Sequence, residues 1–224
     1  MLDKKTHKVA IIIPSYNETK NLKKVLVSLK NKYNIILVDD GSNDKTNFQS
    51  FKNKNTSVLK HKYNQGYDAA LTTGFKYAYK KKYDFAISFD ADNQFYTSDL
   101  KKFIKEIIHS NYNLIIGERA KFQRLGENLS GFLFGLRFNI KDPFCGLKIY
   151  RIDKLSKKKF FELEKKKFYG LQFLKAYTIS RKYKCFKIRT KPRRGNPRLQ
   201  NSIFVNLKMI YATLFLLIKT INYK

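Results

Sequence analysis

The apolar positions in the first half of the chain alternate between two spacings. Continuous β-branched runs at residues 9–13 and 35–38 are typical of buried strands. Between them, residues 17–30 place apolar side chains at helical spacing. The same patterns predict further strands at residues 57–59, 85–89 and 114–116, and helices at residues 67–79 and 98–109. This alternation predicts an α/β fold, with a mostly parallel, Rossmann-like sheet covered by helices on both faces.

The second half of the chain has a less regular pattern. Residues 119–142 show little strand pattern, and residues 146–150 are expected to return to the sheet. Residues 154–167 form a basic, helix-like stretch, and residues 187–199 predict a basic loop with two prolines and a glycine. Residues 202–221 predict a final apolar helix. Its uncharged centre, residues 209–218, is too short to span a hydrocarbon layer of about 30 Å.

The charge of the chain narrows the choice of partner. Lys and Arg number 47 against 17 Asp and Glu, which gives a net charge of +30 over 224 residues. Such an excess favours a nucleic acid, a phosphorylated ligand or an anionic membrane, although a biased codon composition also contributes to such counts. Two cysteines, Cys145 and Cys185, exclude a disulfide scaffold and a four-thiolate zinc site.

Acidic residues follow the predicted strands of this basic protein. Glu18, Asp40, Asp92 and Glu118 each lie just beyond the end of a different strand. Ligands of open parallel sheets bind outside the carboxyl ends of the strands. Carboxylates gathered there repel one another unless a cation or a hydrogen-bond donor lies among them. The pattern therefore predicts a ligand site at this edge and disfavours a nucleic-acid binder, which has no use for these acids.

The segment Asp90-Ala91-Asp92 is a candidate metal site. Alternate side chains of an extended segment point the same way, so both carboxylates can converge. Mg²⁺ often takes one or two carboxylates together with substrate phosphates, and Gln94 offers a further oxygen. The alternative is a polar strand end that caps the next helix. Asp39-Asp40-Gly41-Ser42 has a similar pair of interpretations, an ordinary turn or an acceptor of hydrogen bonds from a nucleoside.

Four segments in order resemble the family-2 nucleotide-sugar glycosyltransferases with the GT-A fold. They are Pro14-Ser15-Tyr16-Asn17-Glu18, Val38-Asp39-Asp40-Gly41-Ser42, Asn64-Gln65-Gly66 with Ala70 and Gly74, and Asp90-Ala91-Asp92 with Gln94-Phe95. Three later segments resemble the polyprenyl-phosphate branch of that family, the dolichyl- or undecaprenyl-phosphate sugar synthases. They are Gly117-Glu118-Arg119, Asp142-Pro143-Phe144-Cys145-Gly146-Leu147-Lys148 and residues 193–199.

The resemblance implies a role for each matching residue. The nucleoside would be held by Pro14, Tyr16, Glu18, Val38 and Asp40. The diphosphate and sugar would lie along Asp90, Ala91 and Asp92, with Mg²⁺ or Mn²⁺ held by Asp90, Asp92 and Gln94. Arg119 would face the acceptor phosphate, and Arg194 and Arg198 would close on the donor and acceptor phosphates. Arg124 is also suited to phosphate, because guanidinium binds it in bidentate fashion.

The acceptor remains open between two chemistries. A phosphate acceptor is already ionised at neutral pH, its second pKa being about 6, and needs positioning more than a strong base. In that case an inverting transfer from the nucleotide sugar to a polyprenyl phosphate would depend on Asp92 and Arg119. A hydroxyl of a glycan or another cell-envelope acceptor would instead require a general base, for which Asp142 and Glu127 are candidates. A sugar nucleotidyltransferase would normally show a glycine-rich phosphate loop, which residues 14–18 are not.

The family resemblance and the apolar C-terminal pattern together predict how the chain is divided. Residues 1–200 would form the GT-A catalytic domain. Residues 201–224 would form an amphipathic helix that lies in the membrane interface or, alternatively, packs on the catalytic domain or on a partner subunit. The expected partners are a nucleotide sugar, a polyprenyl phosphate and an anionic membrane surface, with no nucleic acid and with an oligomer left open. The expected location is peripheral, on the cytoplasmic face of the membrane.

Overall fold

The structure is a computed structural model that describes residues 7–29, 32–122, 124–153, 170, 182–192 and 203–221. The strands are β1 (Val9–Ser15), β2 (Asn34–Asp39), β3 (Thr56–Lys60), β4 (Phe85–Ser88), β5 (Leu114–Arg119), β6 (Lys148–Arg151) and β7 (Tyr183–Ile188). The helices are α1 (Thr19–Leu29), α2 (Tyr67–Lys80), α3 (Ser98–His109), α4 (Leu125–Phe138) and α5 (Ile203–Ile221), with a 3-10 turn at Phe48–Phe51.

The seven strands form one sheet in the order β3-β2-β1-β4-β6-β5-β7. The strands β1 to β4 are parallel to one another, and β7 is parallel to β5. Only β6 runs against its neighbours β4 and β5, among the strands that the structure describes. The mostly parallel α/β sheet predicted from the sequence is therefore confirmed.

Helices cover both faces of the sheet, as the alternation predicted. One apolar layer joins α1 and α3 to the strand side chains Ile11, Ile35 and Ile87. The other joins α2, α4 and α5 to the side chains of Ile12 and Ile36, which alternate with the first set. Because successive strand residues face opposite sides, continuous apolar runs are required here.

The later strands differ from the sequence-based prediction. The strand β6 covers residues 148–151, so it begins two residues later and ends one residue later than the predicted 146–150, and it is antiparallel to its neighbours. The strand β7 was not predicted, and its last residues 187 and 188 had been assigned to the basic loop. It is an edge strand that pairs only with β5, so lysines between its apolar residues remain partly exposed and break the pattern. Residues 154–167 lie outside the described residues.

The helix α4 occupies the region without a predicted element. Apart from Phe134, its buried side carries small and polar residues, among them Gly126, Ser130 and Gly131. Other large apolar residues, such as Phe132 and Leu136, are exposed. This distribution is inverted relative to a helix that covers a core, so the usual periodicity argument does not identify it.

The last helix is longer than its uncharged centre. Residues 203–220 of α5 are long and apolar enough to cross a membrane by length and composition, because the helix continues through Lys208 and Lys219. The sequence pattern had predicted an apolar segment too short to cross a membrane, and the length of α5 corrects that prediction. One side of α5 packs against the protein, since Ala212 and Leu216 belong to the core.

Both cysteines are free, and burial raises the pKa of Cys145 to about 12.

Candidate active site

The loops after β1 and β2 are bound together at the carboxyl edge of the sheet. The Asn17 backbone N–H donates to Ser42 Oγ at 3.0 Å. The Asn17 side chain exchanges two hydrogen bonds with Asn43, at 2.8 and 2.9 Å. Asn17 has the left-handed φ of 52°, which asparagine tolerates. The first two predicted segments therefore form one surface.

Asp40 anchors a neighbouring loop. Its buried carboxylate accepts hydrogen bonds from His61 Nδ1 at 2.7 Å and from the backbone N–H groups of Gln65 and Gly66 at 2.9 and 2.7 Å. The other ring nitrogen of His61 lies 2.9 Å from Thr73 Oγ1. Asp40, predicted to hold the nucleoside, thus binds the loop that leads into α2.

Asp39 presents a different environment from its neighbour. It is completely buried, and its Oδ1 accepts the Ser42 N–H at 2.8 Å. Its Oδ2 makes no hydrogen bond to any described residue, and neither does the buried Oγ of Ser15, its partner across β1 and β2. The Lys60 ammonium lies 3.9 Å from Oδ2. A buried polar group without a partner costs roughly 1–3 kcal/mol, so this pair is suited to a ligand that donates hydrogen bonds.

The sequence motif contains both Asp39 and Asp40, which are adjacent and chemically identical. The strand geometry, and not the motif, determines that Asp39 is the acid that keeps an oxygen without a hydrogen bond to the described residues. Other predicted nucleoside residues lie along the same edge. Pro14 and Val38 are buried neighbours in the register of β1 and β2. Tyr16 and Glu18 are half-buried, and Glu18 accepts a hydrogen bond from the Asn21 amide at 2.9 Å. Their contact with a nucleoside remains a prediction.

Asp90 and Asp92 lie at the end of β4, beside this edge. Asp90 Oδ1 accepts the Tyr67 hydroxyl at 3.0 Å. Asp92 Oδ1 accepts the Gln94 backbone N–H at 3.1 Å, in a turn where Asn93 has a left-handed φ of 62°. Ala91 between them is buried.

The carboxylate oxygens of Asp90 and Asp92 and the side-chain amide oxygen of Gln94 are ligands of the kind that a hard divalent cation prefers. The described ranges contain no cluster of three or more His, Cys, Asp or Glu side chains that could hold a metal ion, so this candidate site has only two carboxylates. Two carboxylates and one amide leave coordination positions for substrate phosphates, which is how Mg²⁺ is commonly bound. The chemistry of the donor set therefore fits the predicted Mg²⁺ or Mn²⁺.

The chain after β7 is bound to the metal-motif loop. The Lys191 N–H donates to the Gln94 carbonyl at 2.8 Å, and Thr190 pairs with Phe95. A pocket of about 290 Å³ opens at this junction. It is lined by Asn21, Lys24, Asp92, Asn93, Lys191 and Pro192. The basic loop with Arg194 and Arg198 follows directly in sequence but lies outside the described residues.

Arg119 lies in a cluster of two arginines and two acids. Its Nε and Nη2 donate to Asp142 at 2.7 and 2.8 Å, and its backbone N–H donates to the same carboxylate at 3.0 Å. Glu127 accepts from Arg124 Nη1 at 2.9 Å and lies 3.6 Å from Arg119 Nη2. The acid side chains are 1% and 3% exposed, so the structure brings Arg119, Arg124, Asp142 and Glu127 together in a buried group.

This cluster limits what its members can do. Burial alone would lower the pKa of Arg119, but the hydrogen-bonded Asp142 carboxylate raises it above its ordinary value, so the guanidinium stays charged. Asp142 accepts three hydrogen bonds from Arg119. A carboxylate engaged in this way is a poor general base, because taking a proton would break a buried ion pair.

Lys148 is a buried cation next to this group, and sequence reasoning gave it no role. Its Nζ donates to the Cys145 carbonyl at 2.5 Å. Burial lowers the pKa of Lys148, while Asp142 and Asp90 act in the opposite direction. It lies on β6, opposite Ser88 of β4, and contributes positive charge beneath the acidic edge.

Comparisons with known proteins agree with these features. Residues 10–223 match the family model described as glycosyl transferase family 2. An uncharacterised protein of Methanocaldococcus jannaschii is 31% identical over 164 residues, covering 66% of this chain and 67% of that protein. A UDP-N-acetylglucosamine–dolichyl-phosphate N-acetylglucosaminyltransferase of Methanococcus voltae is 37% identical over 140 residues, covering 54% of this chain and 55% of that protein. The match thus spans about half of the second relative.

A solved structure shows the same fold. Glucosyl-3-phosphoglycerate synthase from Mycobacterium tuberculosis, in complex with phosphoglyceric acid, superposes with a TM-score of 0.69 at 15% identity, covering 94% of this chain and 80% of that one. The same enzyme has been solved with Mn²⁺, UDP-glucose and phosphoglyceric acid. The family match covers nearly the whole chain, and the strand-end acids occur in the expected order on a GT-A-like sheet. The chain therefore belongs to glycosyl transferase family 2 and is a glycosyltransferase.

Proposed function

We propose that this glycosyltransferase moves a sugar from a nucleotide sugar to the phosphate of a polyprenyl phosphate at a membrane surface, with inversion at the anomeric carbon. The observation that carries the proposal is an exposed apolar face, formed by α4 and α5, that begins at the arginine cluster. The name of the relative from Methanococcus voltae, which includes dolichyl phosphate, supports the same acceptor class.

The donor would bind at the acidic edge of the sheet. Asp39 Oδ2 and Ser15 Oγ, which make no hydrogen bond to the described residues, would accept hydrogen bonds from the nucleoside. Asp90, Asp92 and Gln94 would hold Mg²⁺ or Mn²⁺ at the diphosphate. Such an ion, when bound, supplies charge stabilisation to the nucleoside diphosphate as it leaves. The sugar would then face the arginine cluster, where the acceptor oxygen attacks from the side opposite the leaving group.

The acceptor chemistry follows from the state of the two candidate bases. Asp142 and Glu127 are both buried and bound to arginines. A hydroxyl acceptor would need one of them to take a proton, whereas a phosphate attacks in its ionised form. The positively charged Arg119 would orient such a phosphate at the edge of the cluster. This favours the phosphate acceptor over the hydroxyl of a glycan.

The apolar face provides a place for the lipid. Ten of the twelve large hydrophobic side chains that are exposed in the described residues lie on two helices packed against each other. Four are on α4 and six on α5: Leu125, Leu129, Phe132 and Leu136, and Ile203, Phe204, Leu207, Tyr211, Leu214 and Ile218. The helices are joined by hydrogen bonds from Thr213 to Ser130 at 2.8 Å and from the Gly126 N–H to Asn206 at 2.7 Å. They therefore present one continuous surface.

The partner that best suits this face is an anionic lipid leaflet. Exposed contiguous apolar patches mark protein or membrane contacts. Here several polar side chains of the two helices, among them Glu127, Ser130 and Thr213, are turned inward. The exposed lysines Lys208 and Lys219 can reach headgroups from the face of α5. The net charge of +30 adds attraction to an anionic surface. We therefore place the protein peripherally, on the cytoplasmic face of the membrane.

An acceptor comparison tests the proposal. The protein is incubated with Mn²⁺ and radiolabelled UDP- or GDP-sugars, together with a polyprenyl phosphate, the matching polyprenol, or an oligosaccharide. We expect label in the lipid phosphate alone, because the polyprenol lacks the ionised nucleophile. Transfer to the oligosaccharide with none to the lipid phosphate would establish the hydroxyl-acceptor alternative instead.

A charge placed on the apolar face is expected to weaken membrane binding. Leu136→Glu removes burial worth about 1.5–3 kcal/mol and adds repulsion from anionic lipids. Vesicle affinity should fall about tenfold or more, since about 1.4 kcal/mol corresponds to tenfold. Co-sedimentation with anionic vesicles measures this affinity.

The matched control for this prediction is Val27→Glu. Val27 lies on α1, away from the face, and is 74% exposed against 73% for Leu136. This variant should bind vesicles almost as the unmodified protein does. Equal losses for both variants would mean that net charge alone governs binding and that the face is not the docking surface.

A further inference from the structure

Asp90 is held by a contact that no sequence motif indicated. The Tyr67 hydroxyl donates to Asp90 Oδ1 at 3.0 Å. Tyr67 is the first residue of α2, whereas Asp90 follows β4, so this bond joins two elements that are separate in sequence. The orientation of the carboxylate is thereby linked to the position of the helix.

Gly146 packs closely against the same carboxylate. A Cβ atom added at Gly146 would lie 1.9 Å from Asp90 Oδ2, which is far inside contact distance. The Ser88 hydroxyl donates to the Gly146 carbonyl at 2.7 Å and holds that backbone in place. Only glycine permits this close approach, so the Asp90 side chain has little freedom to rotate away from Tyr67.

Tyr67 is suited to orient this carboxylate. A tyrosine hydroxyl has one hydrogen to donate, and Asp90 Oδ1 accepts it. An ionised carboxylate has about four lone-pair sites, and the Tyr67 hydroxyl uses one of them. The bond thus orients Asp90 without exhausting its capacity to bind a cation.

We propose that Tyr67 is a positioning residue that, together with Gly146, presents Asp90 to the divalent cation. This inference rests on the proposed function, in which Asp90 is a metal ligand. Groups that hydrogen-bond to a metal ligand fix its direction, and their removal typically lowers metal affinity by about 10–100-fold. Tyr67 itself would touch neither the metal nor the substrate.

The test compares two tyrosine variants on one helix. Tyr67→Phe deletes the hydroxyl that reaches Asp90. Tyr77→Phe deletes a hydroxyl whose hydrogen bond to Ser57 is also 3.0 Å long but lies away from the acidic edge. Each variant loses one hydrogen bond, so both melting temperatures should fall. A purely structural role would make the two variants equivalent in every assay.

Metal binding separates the two variants. Mn²⁺ is titrated calorimetrically into each protein with saturating UDP and, separately, with GDP. We expect the dissociation constant for Mn²⁺ to rise about tenfold or more in Tyr67→Phe, and to stay within about twofold in Tyr77→Phe. Equal constants for both variants would overturn the inference.

A third variant distinguishes failure of the inference from failure of the proposed function. Asp90→Asn should lose Mn²⁺ binding under the same conditions. If it does so while Tyr67→Phe binds Mn²⁺ normally, only the positioning role is wrong. If Asp90→Asn itself binds Mn²⁺ normally, the metal assignment in the proposed function is wrong, and the positioning role is overturned with it.

Discussion

Replacing Asp92 by asparagine is expected to lower sugar transfer by about a thousandfold or more and to remove the Mn²⁺ dependence of donor binding. Asp92 lines the pocket at the junction with Lys191 and is the second carboxylate of the proposed metal site. Loss of a group that stabilises developing charge typically costs a factor of 10²–10³, and loss of the ion adds to this. Initial rates and calorimetric binding of the nucleotide sugar, each with and without Mn²⁺, measure the effect.

The control for this substitution is Asp153→Asn. Asp153 is exposed and follows β6 at the opposite edge of the sheet, so the same change of charge should leave the rate unchanged. The Asp92 variant should keep its melting temperature in the absence of ligands, because its carboxylate is only half-buried. Full activity of Asp92→Asn in the presence of a chelator would disprove the metal assignment.

Changing Arg119 is expected to produce the second-largest loss of activity. The cause should be weaker binding of the acceptor. Arg119→Ala would leave Asp142 buried without its counter-ion, which costs about 3–5 kcal/mol of stability and obscures the kinetics. Arg119→Lys keeps the charge but not the two-pronged contact. We expect it to raise KM for the polyprenyl phosphate at least tenfold and to leave KM for the nucleotide sugar within about twofold. Steady-state kinetics with each substrate varied in turn provide both constants.

Asp142→Asn completes this test of the acceptor chemistry. Asparagine retains an oxygen that can accept from Arg119 but cannot take a proton. If Asp142 only positions the arginine, the variant should keep activity within about tenfold of the unmodified protein, with the same pH–rate profile. A thousandfold loss of kcat, together with loss of the acidic limb of that profile, would identify Asp142 as a general base and favour a hydroxyl acceptor.

The structure describes most of the predicted site residues but not all of them. It places Asp90, Asp92 and Gln94 in one loop and gathers Arg119, Arg124, Asp142 and Glu127 in one cluster. The placement of Asp90 and Asp92 follows from strand order, because they end a strand whose carboxyl end lies at the ligand edge of the sheet. Arg119, Asp142 and Glu127 are instead joined by tertiary contacts. The roles given to them remain predictions. Arg194 and Arg198 lie outside the described residues, and their predicted contacts with phosphates are likewise untested.

The choice between Asp39 and Asp40 shows where local reasoning stops. The two acids are adjacent and chemically identical, so composition and spacing cannot rank them. The structure turns Asp40 toward His61 and the loop before α2, and leaves Asp39 Oδ2 buried without a hydrogen bond. Successive residues at a strand end point in opposite directions, so the partners of each were decided by the neighbouring elements.

The alternating α/β order, the acidic edge and the family were predictable from local sequence, because buried parallel strands require continuous apolar runs and the family motifs are short segments. Three features depend on the folded chain: the inverted helix α4, the pairing of Arg119 with Asp142, and the contact from Tyr67 to Asp90. Each depends on residues 23 or more positions apart or on a face turned away from the core. No local spacing encodes such contacts, because they arise only when the sheet brings its loops together and leaves one pair of helices with its apolar side outward.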